Sequence, residues 1–297
     1  MPDDLRVVSP RVCRLMKVIC ARVFFLLVFG FVPKLHADPQ ILVLAEGFAF
    51  PEGPVLLQDG TLLVCDVPTG TIYSVDPAGG GKEVWLKFDG EPNGACLAPD
   101  GRVLVADRKN KRIRAIDPVT RSIADVSPPE ASLHSPNDVG VSSEGVIFFT
   151  DPTWKRGWRE IPQYVWRVDR PDALRSLRSF LQPNGLKVFD QKLFVAEGAT
   201  GVVWVADLGG AGQPEFRPFF TFQNVPALDG MEAGPDGRLF VALFGASALG
   251  VISTQGEDVG RIQLPGKNPT NVTISPDGKN LFVTEAEKKQ VLRITGF

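Results

Sequence analysis

Short apolar runs separated by polar turns recur along the chain in one repeated order. Six segments align: "FPEGPVLLQDGTLLVCDVPTGTIYSVDP", "EPNGACLAPDGRVLVADRKNKRIRAIDP", "SPNDVGVSSEGVIFFTDPTW…QYVWRVDR", "QPNGLKVFDQKLFVAEGATGVVWVADL", "LDGMEAGPDGRLFVALFGASALGVIST" and "PTNVTISPDGKNLFVTEAEKKQVLRIT". Each opens on a polar residue, usually followed by Gly, and continues into a short strand. A turn follows ("QDG", "PDG", "SEG", "FDQ", "PDG", "PDG"), then a strongly apolar strand, a polar loop and a third strand with alternating apolar positions. Asp and Gly tolerate the positive φ that tight hairpin turns need. The Val, Ile, Leu and Phe content of the second and third strands suits a sheet interior.

The opening polar positions are Glu52, Asn93, Asn137, Asn184, Asp229 and Asn271, spaced 41, 44, 47, 45 and 42 residues apart. A period in the forties with three or four strands per unit is the pattern of a β-propeller. The expectation is therefore an all-β, six-bladed β-propeller over residues 38–297, built as a single domain. "ILVLAEG", residues 41–47, precedes the first repeat and is expected to supply the outer strand of the last blade. A solenoid would need polar capping repeats, and neither end of the array offers one. Composition agrees: 44% apolar residues, 30 Gly and 25 Pro in 297 residues allow a large core and many turns.

The first 37 residues read differently. From Met16, "MKVICARVFFLLVFGFVPKLHA" has a basic start, an apolar centre and a small residue at Ala37. This is the layout of a signal peptide, with residues 1–15 as an upstream extension and Met16 as the start. The apolar run is shorter than the roughly 20 residues a membrane span takes. The expected product is exported, periplasmic or secreted, with no stable membrane anchor after cleavage. Residues 1–37 hold six basic and two acidic residues, so the whole-chain charge of −2 becomes −6 without them. No basic tract remains, which argues against nucleic acid as a partner. Cys65 and Cys96 are the cysteines left, both in apolar runs, and read as buried thiols; a single disulfide between them is open to an exported chain but is not indicated by their spacing.

The first strand of each propeller blade lines a central channel, so the six opening residues converge at one mouth. Turn chemistry after Pro accounts for Asn but not for Glu52 or Asp229. Two carboxylates and several amide oxygens suit a hard cation, one divalent ion of which Ca²⁺ fits best. Mg²⁺ or Mn²⁺ could substitute, and Zn²⁺ is less natural without His or Cys ligands.

The motifs "EGP", "SPND…FTDP", "PNG" and "DG", in this order on six repeats, resemble the senescence marker protein/gluconolactonase family, which includes regucalcin. The resemblance covers nearly all of residues 46–297. It implies a six-bladed propeller with one divalent ion, usually calcium, at the channel mouth, and hydrolysis of sugar-acid lactones. By motif it implies Glu52, Asn184 and Asp229 as ion ligands. Asn137 matches a residue that binds metal in some relatives and substrate in others, and Asn93 is left to substrate contact.

Ring opening of a lactone needs a polarised carbonyl, a nucleophile and a stabilised oxyanion. Asp229 is the candidate general base toward water, with direct covalent attack by Asp229 the other route. A Ser–His–Asp arrangement is disfavoured, since His134 is the one histidine outside the leader. The longest loop, "DPTWKRGWREIPQ", brings Trp154, Trp158, Arg156 and Arg159; Trp154 and Arg156 are candidate substrate contacts. A packed surface loop explains the same residues equally well. Asp138, where most repeats have Gly or an apolar residue, is expected to point away from the axis and support Asn137 from behind. Two other functions stay open: a non-catalytic calcium-dependent small-molecule-binding propeller, and a paraoxonase-like esterase or phosphotriesterase. Relatives of the second kind carry histidines near the ion where this chain has Asn271. Strictosidine synthase-like propellers lack the full Glu–Asn–Asn–Asp oxygen set.

Overall fold

A computed structural model describes residues 38–297 apart from 129, 131, 171, 172 and 211. The leader expected over residues 1–37 lies outside the described residues. The described chain forms six four-stranded antiparallel sheets, which are the six blades of a β-propeller. Blade 1 is typical: an inner strand Pro51–Leu56, then Leu62–Asp66, Thr71–Val75 and an outer strand Lys82–Lys87. The inner strands of the other blades are Pro92–Leu97, Val139–Val141, Pro183–Phe189, Ala227–Ala233 and Pro269–Ile274.

Closure follows the expectation. Gln40–Glu46 pairs antiparallel with the last strand, Gln290–Thr295, and so completes blade 6 from the N-terminal side. The ring is thereby fastened by hydrogen bonds between the two ends of the array.

The second strand of each blade reads as an unbroken apolar run because both of its faces are covered. Side chains alternate across a strand. Leu62 and Val64 pack in a cluster with Phe282 and Val291 of blade 6, while Leu63 and Cys65 pack with Val103 and Val105 of blade 2. The same alternation repeats around the ring, so one hydrophobic cluster fills each gap between neighbouring blades. Cys65 and Cys96 are free thiols, the first buried and the second half-buried.

Inner strands approach one another closely around the channel, and glycine makes this feasible. A Cβ at Gly53 would sit 2.2 Å from the Asn93 carbonyl oxygen, and one at Gly185 would sit 2.3 Å from that of Asp229. The Gly of "EGP" and "PNG" thus reflects strand spacing at the axis.

Candidate metal centre at the channel mouth

Hairpin register fixes which residues share a level of the channel. Pro51 pairs with Asp66, Pro92 with Asp107, Pro183 with Glu197, Leu228 with Leu243 and Pro269 with Glu285. The next residue in each case is Glu52, Asn93, Asn184, Asp229 and Thr270. Asn137 takes the same level in blade 3, where its N–H donates to the Thr150 carbonyl at 2.9 Å. The ring is therefore Glu52, Asn93, Asn137, Asn184, Asp229 and Thr270, all buried.

Asn271 corrects the sequence alignment by one residue. Its N–H donates to Thr284 Oγ1 at 3.0 Å and its Oδ1 accepts from Val272 N at 2.8 Å. Asp138 makes the same two bonds, to Thr150 Oγ1 at 3.0 Å and from Val139 N at 3.0 Å. Asn271 and Asp138 therefore form the next level down, where the other blades carry Gly. In "PTN" the amide comes second after Pro269, where in "PEG" the carboxylate comes first after Pro51; the equal spacing from Pro to the turn Gly, 51–60 and 269–278, is the signal that could have found it. Thr270 turns its hydroxyl to the Pro51 carbonyl at 2.7 Å, clasping blade 6 to blade 1.

Asp138 also differs from its expected orientation. It lines the channel below the ring, in a cavity of about 210 Å³ shared with Lys187, Glu232 and Asn271. Its Oδ2 accepts from Leu186 N at 3.0 Å. Burial is the main reason its carboxyl is pushed up to about 7. Lys187 and Glu232 form an ion pair one level lower still.

Electrostatically the ring brings buried carboxyl groups close together. Burial, and then the charges of Glu52 and Asp138, hold the Asp229 carboxyl well above the ordinary carboxylate range, against the Asn184 amide and the Gly230 N–H. Burial likewise raises Glu52, opposed by the Gly53 N–H, with Asp138 adding to the rise. Asn93 Oδ1, Asn184 Oδ1 and Asp229 Oδ1 are buried without a hydrogen-bond partner. Buried oxygens of this kind are costly unless a ligand meets them. Among the described residues no group of three or more His, Cys, Asp or Glu is placed to hold a metal ion by itself. A site made of two carboxylates and neutral amide oxygens fits a hard divalent ion.

The long loop of blade 3 folds around Gln163. Gln163 Oε1 accepts from Thr153 N at 2.9 Å, and Nε2 donates to the Trp158 carbonyl at 3.0 Å. His134 Nε2 lies 3.1 Å from the Pro162 carbonyl oxygen, so this loop rests against the segment leading to Asn137. Trp154 and Arg156 are exposed on it, and neither hydrogen-bonds a ring residue among the described residues.

Three sets of residues escaped the sequence reading. Thr270 was hidden by the one-residue offset. Arg108, paired with Glu91 at 2.9 Å, acts on Glu52 through space. The third set is an acid ending the second strand in five of six blades: Asp66, Asp107, Asp151, Glu197 and Glu285. Its signal was present in "VCD", "VAD", "FTD", "VAE" and "VTE".

The class that the fold and site define is a six-bladed propeller with an oxygen-lined channel mouth. The description of the SMP-30/gluconolactonase/LRE-like region matches residues 50–287, and the chain belongs to that family. It is 28% identical to a gluconolactonase of Zymomonas mobilis, over 90% of this chain and 86% of the relative. It is 25% identical to the diisopropyl-fluorophosphatase of Loligo vulgaris, over 86% of this chain and 91% of the relative. The crystal structure of a calcium-binding protein, regucalcin, from Agrobacterium tumefaciens superposes with a TM-score of 0.70 at 17% identity. That match covers 87% of this chain and 93% of the other, and bears on the fold.

Proposed function

We propose that the protein is a metal-dependent lactonase that opens the ring of a sugar-acid lactone. The observation that carries this reading is the ring of buried oxygens around Glu52 and Asp229, of which Asn93 Oδ1, Asn184 Oδ1 and Asp229 Oδ1 have no hydrogen-bond partner. Glu52, Asn137, Asn184 and Asp229 would hold one divalent ion, Ca²⁺ by the hardness of its donors. Such an ion, when bound, supplies Lewis-acid polarisation of the carbonyl and charge stabilisation of the oxyanion. The gluconolactonase relative and the calcium-binding regucalcin fold support both halves of the reading.

Asp229 is assigned as general base. Burial makes its carboxylate a stronger proton acceptor than an exposed one. It takes the proton of water as the water oxygen bonds to the carbonyl carbon. The ring C–O bond then breaks, and the leaving alkoxide recovers a proton to give the open hydroxy acid. Asn93 and Asn137 provide amides to orient the substrate, while Trp154 and Arg156 offer an aromatic face and a cation outside the mouth. The leader reading adds export to the periplasm or beyond, with a small-molecule lactone as substrate.

A second reading, a phosphotriesterase, draws on the Loligo vulgaris relative. The decisive assay compares glucono-, galactono- and a lipophilic lactone with a fluorophosphonate, each with and without chelator. Chelator-sensitive turnover of a sugar lactone, lost in Asp229→Asn, is expected. Preference for the fluorophosphonate would install the second reading. Ion binding without turnover of any substrate would make the protein a calcium-dependent binding propeller.

A further inference from the structure

The acids that end the second strands stand behind the ring in a regular way. Asp66 Oδ1 accepts from Ala49 N at 3.0 Å and Phe50 N at 2.8 Å, three and two residues before Glu52. Asp151 Oδ1 accepts from His134 N at 2.9 Å and Ser135 N at 2.7 Å, three and two residues before Asn137. Glu197 Oε1 accepts from Leu181 N at 2.7 Å, three residues before Asn184, and its Oε2 is held by Thr200 Oγ1 at 2.6 Å and Trp204 Nε1 at 3.2 Å. Glu285 Oε1 accepts from Asn268 N at 2.9 Å, two residues before Thr270.

These bonds solve a local problem. Proline stands immediately before Glu52, Asn137 and Asn184 and has no N–H to give the ladder. The segment upstream of it would otherwise leave its own N–H groups unmet where the chain turns into the channel. A carboxylate accepts from two neighbouring N–H groups at once, and charged acceptors make the stronger bonds. Blade 5 needs no such device. Leu243 replaces the acid, and the ladder runs one pair further, with Ala227 opposite Phe244.

We infer that Asp66, Asp151 and Glu197 are positioning residues for the ion site, acting through the backbone that carries Glu52, Asn137 and Asn184. This inference rests on the ion site proposed above. The carboxylate of each acid is engaged by the N–H groups of the entering segment, and that of Glu197 also by Thr200 and Trp204. Each fixes the angle at which a ligand-bearing strand enters the mouth. Asp107 provides an internal control, because it accepts from Glu91 N at 3.2 Å and the strand it braces presents Asn93, which lies outside the proposed ligand set.

The test is Ca²⁺ titration of the full chain by calorimetry, paired with thermal melts in chelator. Asp66→Ala and Asp151→Ala are expected to lower Ca²⁺ affinity by about tenfold or more, the usual effect of removing a group that orients a ligand. Asp151→Asn keeps one acceptor oxygen and is expected to recover part of the affinity. Asp107→Asn is expected to lower the melting temperature while leaving Ca²⁺ affinity within about twofold of the parent. If Asp151→Ala does not fold, Asp151→Asn and Glu197→Gln are compared with Asp107→Asn in its place. Equal affinity losses in Asp107→Asn and the other variants, or no loss in any of them, overturn the positioning role. A parent protein that takes up no Ca²⁺ overturns the ion site itself, and the inference with it.

Discussion

Asn271 donates from Nδ2 to Glu52 Oε2 at 3.3 Å, across the seam where the last blade meets the first. The two residues are the far ends of the array, and each lies on an inner strand. The bond steadies Glu52 from below while the mouth stays open above it. Closure of the ring and placement of the most N-terminal candidate ligand are thus one event.

Asn271→Ala tests that coupling. It removes a hydrogen bond to a charged group, worth about 1.5–3 kcal/mol when buried. The melting temperature should fall, and Ca²⁺ affinity should fall with it because Glu52 loses its lateral support. Calorimetry and thermal melts on the same preparation read both effects.

Glu52→Gln should have opposite consequences with and without the ion. In chelator the variant should melt higher than the parent, because a buried carboxylate facing Asp138 and Asp229 has been neutralised. In excess Ca²⁺ it should melt lower, because stabilisation by binding scales with affinity for the folded state. Melts in both conditions decide it; a variant that gains as much from Ca²⁺ as the parent would remove Glu52 from the ligand set.

Stability without ion should decline as pH rises. Asp138 ionises near 3.8 in a free chain but holds its proton to about 7 in the fold. Between those values the folded state carries more protons than the unfolded one, so raising the pH favours unfolding. The decline should begin near pH 4 and continue past pH 7, because Glu52, pushed up to about 8, and the raised Asp229 still hold protons in the fold there. Added Ca²⁺ should offset more of the loss at pH 8 than at pH 5, since it binds ionised carboxylates. Denaturant titrations across this range, with and without Ca²⁺, check the slope.

Lys187→Met isolates the ion pair in the lower channel. It leaves Glu232 partly buried without its cation, and 28% exposure of the Lys187 side chain moderates the cost. A loss of about 2 kcal/mol is expected, below the ~3–5 kcal/mol of a fully dry pair. The double variant Lys187→Met/Glu232→Met should regain most of it in urea melts, because no charge is then stranded.

The apolar pattern by itself determined the six blades, their strand order and the closing strand. Period-2 burial on both faces leaves little freedom about which residues pair, so "TLLVCD" and "RLFVAL" read as second strands without any structure. It also located five of the six mouth positions, since Pro or Leu before a polar residue marks the strand entry. Tertiary structure alone decided the rest. In "PTN" the amide stands one position later than the carboxylate of "PEG", which puts Thr270 at the mouth and Asn271 beneath it, and the bonds that Asn271 shares with Asp138 show this. Asp138 faces into the channel because Gly94 leaves room beside it, a property of the neighbouring blade. The acids from Asp66 to Glu285 act on backbone about 16 residues away, through contacts that sequence spacing does not encode. Local pattern sets which face a side chain takes; which atoms it meets there depends on how six blades close around one axis.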